Sequence, residues 1–260
     1  MFSRLHIEPV GGVAGDMLLA ALIDLGADVA VVRSALAGFH EPGLSLTVDE
    51  VGVAGERALY VRSLLGVPQT RFHAAQTVPL VGAAPLHAHH LLGDVLGRVR
   101  RAALDSAVTE RVTHIFTLLA EAEAVVHGGD AATVGLHEVG ELDSIMDVVG
   151  ISVALASLGV REVSCAPLPS GHGTVMSSHG ELACPTPAVK IICDRYNVPL
   201  EPVDVVGETV TPTGAAVVAA VCETFTREPK GMATAVKVGV GAGTKRFPGR
   251  ANVVRIHGWR

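Results

Sequence analysis

Between His137 and Asp147 the chain places one imidazole and four carboxylates, those of Glu138, Glu141, Asp143 and Asp147, within eleven residues. An uncharged run from Val148 to Leu158 follows and reads as a buried helix. Asp143 and Asp147 stand four apart, so a helix sets both on one face. Ile145, Met146, Val148, Val149 and Ile151 leave that helix little polar surface. A carboxylate there is costly unless it is paired, protonated or bound to a cation. A metal ion or a cationic ligand satisfies that need. His137, Glu138 and Asp143 are therefore candidate catalytic groups, and His137, Asp143 and Asp147 candidate metal ligands. A plainer assignment makes Asp143 a helix-start acid favoured by the dipole, with His137 and Glu138 as loop residues.

Three glycine- or threonine-rich turns offer a second kind of chemistry. Gly11-Gly12-Val13-Ala14-Gly15 joins a strand to a helix, where free backbone amides suit a phosphate. Its spacing is neither G-x-G-x-x-G nor a P-loop. Asp16 would repel a bare phosphate and fits better as a helix-start acid or as ligand to a cation that accompanies an anion. Gly12, Gly15 and Asp16 are the cofactor-binding candidates of this turn. Thr211-Pro212-Thr213-Gly214 starts another helix and adds the hydroxyls of Thr211 and Thr213, although helix capping also accounts for them. The third stretch, Gly239 to Thr244, includes Gly241 and Gly243 and precedes Lys245, Arg246 and Arg250. Basic groups beside such a backbone suit a phosphate or a carboxylate, or simply form a solvated hairpin end. Among 12 histidines, His87, His89 and His90 form a small cluster. His172 and His179 flank a glycine-rich turn and complete the metal-ligand candidates.

The elements that must hold these groups follow from pattern. Phe2 to Pro9 predicts a strand and Asp16 to Leu25 an amphipathic helix stopped by Gly26. Leu44 to Val53 alternates, and Arg57 to Leu65 resembles its hairpin mate. Residues 68–85 read as a loop or linker. Leu86 to His127 reads as mostly helical, so that about 86–128 is a helical segment, with Ile115, Leu118, Leu119, Ala122 and Val126 as its core stripe. A strand near Glu162 to Ala166 precedes a Gly/His/Pro-rich segment. Pro187 opens a helix, and another runs from Thr211 through Thr224. Ala233 to Val240 and Asn252 to His257 read as strands. Strands and helices interleave, which predicts a mixed α/β architecture, taken as one domain over residues 1–260.

Bulk properties narrow the function classes. The chain has 260 residues, 49% hydrophobic and 18% charged, so it is globular and long enough for a well-buried core. Its formal charge is −6, aromatics make up 3%, and no Lys/Arg run stands out, which argues against a nucleic-acid partner. Cys165, Cys184, Cys193 and Cys222 are scattered without a CxxC, as in a cytoplasmic protein with reduced thiols. The N-terminus shows no signal segment. The uncharged run of Val148 to Val160 is core-helix length, so no membrane span is expected.

Taken together the motifs resemble one family. Glu8-Pro9-Val10-Gly11-Gly12-Val13-Ala14-Gly15-Asp16-Met17-Leu18 is similar to its N-terminal D-P-F-S-G-I-S-G-D-M. His137-Glu138-Val139-Gly140 with Asp143-Ser144-Ile145 and Asp147 resembles H-F-H-E-V-G-A-V-D-S-I-V-D-I. Leu168 to Gly173, His179-Gly180, Pro185 to Ala188, Thr211 to Gly214, Gly239 to Gly243 and Pro248 to Arg255 match in the same order. This is the nickel-insertion family of nickel-pincer cofactor synthesis, which matures lactate racemase. The resemblance implies a cyclometallase that inserts nickel into pyridinium-3,5-bisthiocarboxylic acid mononucleotide, using CTP and manganese or magnesium. The substrate then binds the metal through its two thiocarboxylate sulfurs and the ring C4, whose proton a carboxylate or imidazole must take. Gly135 stands where the family has the first histidine of H-F-H-E, Glu8 replaces its first acid, and Gly11 and Ala14 replace its serines. Full-length members continue into a C-terminal domain with the CTP site. A separately encoded C-terminal domain is therefore the expected partner, with a homo-oligomer as a further possibility. The rival readings are a non-catalytic nickel or cofactor carrier, and a paralogue acting on a related phosphorylated substrate.

Overall fold

The computed structural model describes residues 1–64, 90–177, 180–229 and 231–260. Among them are seven helices and eleven strands, arranged as β1 (Arg4–Pro9), α1 (Gly15–Leu25), α2 (Val29–Ala37), β2 (Ser45–Val53), β3 (Glu56–Leu64), α3 (Leu92–Arg101), α4 (Ser106–His127), α5 (Leu142–Leu158), β4 (Glu162–Cys165), β5 (Leu168–His172), β6 (Thr174–Ser177), β7 (Gly180–Ala183), α6 (Pro187–Arg195), β8 (Leu200–Val206), α7 (Pro212–Val221), β9 (Thr224–Phe225), β10 (Lys237–Ala242) and β11 (Val253–Trp259). Seven strands form one mixed sheet in the order β2-β3-β10-β11-β1-β4-β9, and β5-β8 and β6-β7 form two small pairs. The mixed α/β expectation holds.

Alternation along the strands separates the two faces of the large sheet. Leu5 and Ile7 of β1, Val163 of β4 and Ile256 of β11 meet Leu18 and Leu22 of α1, Ile151 and Leu155 of α5 and Val217 of α7. These residues are buried in one continuous apolar cluster, and each fully buried large side chain contributes about 1.5–3 kcal/mol. The opposite face carries His6 and Glu8, which lie opposite His257 and Arg255 in the antiparallel β1–β11 register. Helix α1 packs directly on β10 because Gly241 has no side chain. A Cβ there would run into the Met17 carbonyl and the Ala21 amide of α1.

Several expectations shift in detail. The cassette helix begins at Leu142, before the apolar run. Helix α7 stops at Val221 and not Thr224, since Cys222 is extended and Thr224 enters β9 beside β4. Residues Met232–Thr234 form a 3-10 turn, and the strand after it, β10, runs through the glycines to Ala242. The stretch read as a loop is thus half strand. Val126 leaves the core stripe and is exposed. Helix α2 was not anticipated, although the Asp28 side chain caps it by accepting from the Ala30 amide. The linker of 68–85, His87 and His89 lie outside the described residues, as does His179.

Candidate metal centre and the adjoining cavity

Chain reversal after α4 creates the first cluster. Glu123 and His127 share one face of α4 at i,i+4, with His127 Nε2 3.3 Å from Glu123 Oε2. Gly128 ends the helix in the left-handed conformation. The chain returns at Leu136, whose amide donates to the His90 carbonyl at 2.8 Å, and then enters the 3-10 turn Glu138–Gly140. Gly140 lies against His90 and Leu136, where a Cβ would lie 2.9 and 2.8 Å from their Cβ atoms. His137 is thereby set beside His127, with ring centroids 5.3 Å apart. One donor atom from each of Glu123, His127 and His137 falls within 4.8 Å of the others. A first-row metal bonds imidazole nitrogen at about 2.0–2.1 Å, so a small contraction gathers all three around one ion. Glu123 is only 12% exposed and His127 32%, so the metal would enter from the His127 side.

The cluster opens into a cavity of about 100 Å³. Glu123, His137 and Glu138 line one wall, Val175, Met176, Ser177 and Leu182 of the β6–β7 hairpin a second, and Thr186, Pro187 and Ala188 at the start of α6 a third. Glu208 completes it, and also lines a second cavity of about 210 Å³. Together the two reach the size of small-ligand sites.

The second cavity gathers residues of all three turns singled out in the sequence: Ala14 and Asp16, Thr211, and Gly243 with Lys245. Two backbone bonds draw the first two turns together, from the Val13 amide to the Thr209 carbonyl at 2.8 Å and from the Thr211 amide to the Val13 carbonyl at 3.1 Å. Gly12 lies against the Thr209 carbonyl, and Gly214 against that of Val13. Thr211 caps α7 by accepting from the Gly214 amide at 3.1 Å, and Thr213 is buried behind it. Lys245 Nζ holds Glu208 at 3.0 Å, and the Lys245 carbonyl accepts from Asn252 Nδ2, also at 3.0 Å. Gly243 faces Asn252 and Met17, whereas Gly241 packs against α1 as described.

Beneath this cavity three carboxyls meet. Gly15 is tight against Asp147, for a Cβ would come within 2.6 Å of Asp147 Oδ2. The Asp16 amide bonds the Asp147 carboxyl, and the Met17 amide donates to Asp16 Oδ1 at 2.8 Å. The first amides of α1 are therefore held by the chain's own acids. Loss of solvent, together with the Asp16 and Asp143 charges, drives the Asp147 carboxyl well above its usual range. Loss of solvent, aided by Asp143, also pushes Asp16 up to about 6. Asp143 itself is exposed in the first turn of α5 and accepts from the Ser144 amide at 2.8 Å.

The cassette thus divides. His137 and Glu138 face the first cavity, while Asp143 and Asp147 gather with Asp16 by the second. His172 lines neither and pairs with Asp204 of β8 at 3.1 Å. Sequence reasoning did not single out Glu123, His127, Glu208, Thr209 or Thr186. The Glu123–His127 spacing was visible but indistinguishable from a surface i,i+4 pair.

Comparison with known proteins points to one family. The family model described as nickel insertion protein matches residues 5–258. A relative from Geotalea uraniireducens named for nickel insertion is 38% identical over 96% of this chain and 59% of its own length. One from Rhodopirellula baltica, named likewise, is 35% identical over 98% of this chain and 59% of its own. A relative from Desulfitobacterium hafniense, named as the pyridinium-3,5-bisthiocarboxylic acid mononucleotide nickel insertion protein, is 37% identical over 92% of this chain and 54% of its own length. This chain therefore spans little more than half the length of these relatives. No solved structure matches it. Among the described residues no helix is long and apolar enough to cross a membrane. By its family match over nearly its whole length, the chain belongs to the nickel insertion protein family.

Proposed function

We propose that this chain binds nickel and inserts it into pyridinium-3,5-bisthiocarboxylic acid mononucleotide, as the metal-handling part of a cyclometallase. The observation that carries the proposal is the Glu123, His127 and His137 donor set in the wall of a cavity. Imidazole suits nickel, and soft sulfur can then displace these ligands as the thiocarboxylates arrive. Glu138, beside His137 in the same wall, is the base. It takes the ring C4 proton as the C–H bond breaks, and the electron pair left on carbon forms the bond to Ni²⁺, without any change of oxidation state. The mononucleotide phosphate occupies the second cavity near Lys245 and Thr211. Asp16 there serves a divalent cation, manganese or magnesium, that travels with the phosphate. CTP acts through a partner domain.

The test supplies purified protein with substrate, nickel, manganese and CTP, with and without the remaining portion of a longer relative, and follows the nickel adduct by mass spectrometry. Adduct formation that is lost in Glu123→Ala and His137→Ala supports the proposal. Nickel bound stoichiometrically with no adduct under any condition would make the chain a carrier. Full conversion by a variant lacking all three donors would overturn the metal site.

A further inference from the structure

Helix α6 spans nine residues, Pro187 to Arg195, and begins in the wall of the first cavity. Proline at its first position fixes the entry and contributes no amide. The next two amides, those of Ala188 and Val189, have no acceptor among the described residues, as expected at a helix start. Thr186 stands at the capping position, yet its side chain makes no capping bond. Its hydroxyl is buried without a hydrogen-bond partner, and the residue as a whole is 5% exposed. A buried hydroxyl left so is unusual and calls for an acceptor or donor. The open space that Thr186 lines is the cavity holding His137.

We propose that the start of α6, through the Thr186 hydroxyl and the Ala188 and Val189 amides, seats a carboxylate-type anion beside the metal donors. Within the nickel-insertion reading, on which this assignment rests, that anion is one thiocarboxylate of the substrate. Two arguments favour a carboxylate-sized group over a phosphate. The cavity, about 100 Å³, admits one end of a ligand and not a whole mononucleotide. Glu123, Glu138 and Glu208 line the same walls, so a doubly charged phosphate is repelled more than a singly charged anion. Nickel on Glu123, His127 and His137 offsets part of that repulsion, so metal and anion should strengthen each other's binding. A thiocarboxylate seated here presents sulfur to the metal while its oxygen takes the hydroxyl and amide donors.

The experiment uses the whole chain, ¹⁵N-labelled, and pyridine-3,5-dicarboxylate as probe, with acetate and inorganic phosphate as the other arms, each with and without nickel. The expected result is a shift of the Ala188 and Val189 amide signals with the dicarboxylate and with acetate, larger when nickel is present. Thr186→Val should weaken dicarboxylate binding roughly tenfold, the scale of a hydrogen bond to a charged group, while Thr186→Ser retains it. Binding of nickel alone should be unchanged in both variants. Unshifted Ala188 and Val189 amides in the wild type, or a preference for phosphate at this position, would overturn the assignment. Dicarboxylate at α6 with no nickel at the three donors would leave the anion seat standing and would instead sink the nickel-insertion reading, so the two failures are distinguishable.

Discussion

Among the described residues, two places bring a pair of imidazoles to a glutamate. On the outer face of the sheet, His6 and His257 stand with ring centroids 6.2 Å apart, and His257 Nε2 lies 2.9 Å from Glu8. At the end of α4, His127 and His137 stand with Glu123. The residue types are the same but the surroundings differ. His6 is 0% exposed, its Nδ1 is bonded to Ser164 Oγ at 2.9 Å, and burial lowers its pKa to about 4. Glu8 is also engaged by Arg255, which in turn grips Glu56 at 2.8 and 2.9 Å. On the sheet, register sets Glu8 against Arg255 and His6 against His257, Glu8 is taken up by His257 and Arg255, and His6 is closed off from solvent with its Nε2 buried without a hydrogen-bond partner. At α4 the donors come from a helix end and a turn, and they face open space. A histidine–acid cluster can admit a metal only where its backbone leaves one direction open.

The largest expected effect separates the two clusters. His137→Ala or His127→Ala should weaken nickel binding by more than about 100-fold, beyond the cost of losing an outer partner of a ligand, whereas His257→Gln should leave it unchanged. Titration calorimetry reads both, and equal losses at the two clusters would erase the distinction. Next in size, His6→Ala should lower stability by about 2–3 kcal/mol through lost packing and lost hydrogen bonding, without altering nickel affinity. A thermal melt that does not move would remove His6 from the fold's support.

Acid titration sharpens the contrast further. The folded pKa of His6 lies near 4, below its ordinary 6.5, so its contribution is present above 6.5 and is lost as pH falls toward 4, because the unfolded chain takes the proton first. Asp16 acts in the opposite sense. Its folded pKa near 6 exceeds the ordinary 3.8, so its contribution is present below 3.8 and is lost as pH rises through 6. The two partly cancel in that window. Asp16→Asn should raise stability well above pH 6 and steepen the loss on acidification, as denaturant curves across pH would show. An unchanged pH profile would mean that Asp16 ionises as an ordinary surface acid does.

The smaller effects concern the second cavity. Gly15→Ala forces a methyl against the Asp147 carboxyl and should cost roughly 1–3 kcal/mol. Undiminished stability would show that Asp147 can swing away. Thr211→Ala removes the cap of α7 for about 1 kcal/mol. A larger fall in mononucleotide affinity than in stability would place its hydroxyl on the ligand.

Local features were legible because they follow from short-range physics. The run Val148 to Leu158, the turn at Gly11 to Gly15, the hairpin of β2 and β3 and the Thr211 cap all announce themselves in spacing and residue type. The placement of Gly12 against Thr209 and of Glu123 against His137 did not, because each depends on a chain reversal that no local pattern encodes. Likewise β8 carries Pro202 and escaped a strand reading, since proline is tolerated where a strand has a free edge. The glycines of β10 were taken for a flexible loop, when their smallness serves the approach of a helix that begins more than two hundred residues earlier.

Strand β11 lies between β10 and β1, in the interior of the large sheet. Residues 253–259 thus supply hydrogen bonds on both sides, to strands made at opposite ends of this chain. During synthesis β1 and α1 emerge long before β11, so the neighbour that β1 pairs with over its whole length does not exist until residue 259 has been added. The nascent chain must carry β1 with one edge open, β4 being the partner available on the other, until β11 is made, in a topology rich in distant contacts that folds slowly. Biogenesis of this protein should therefore lean on holding factors that shield the early segments, and a ribosome stalled before residue 253 should present a sheet in two halves, β2-β3-β10 and β1-β4-β9, without the strand that joins them.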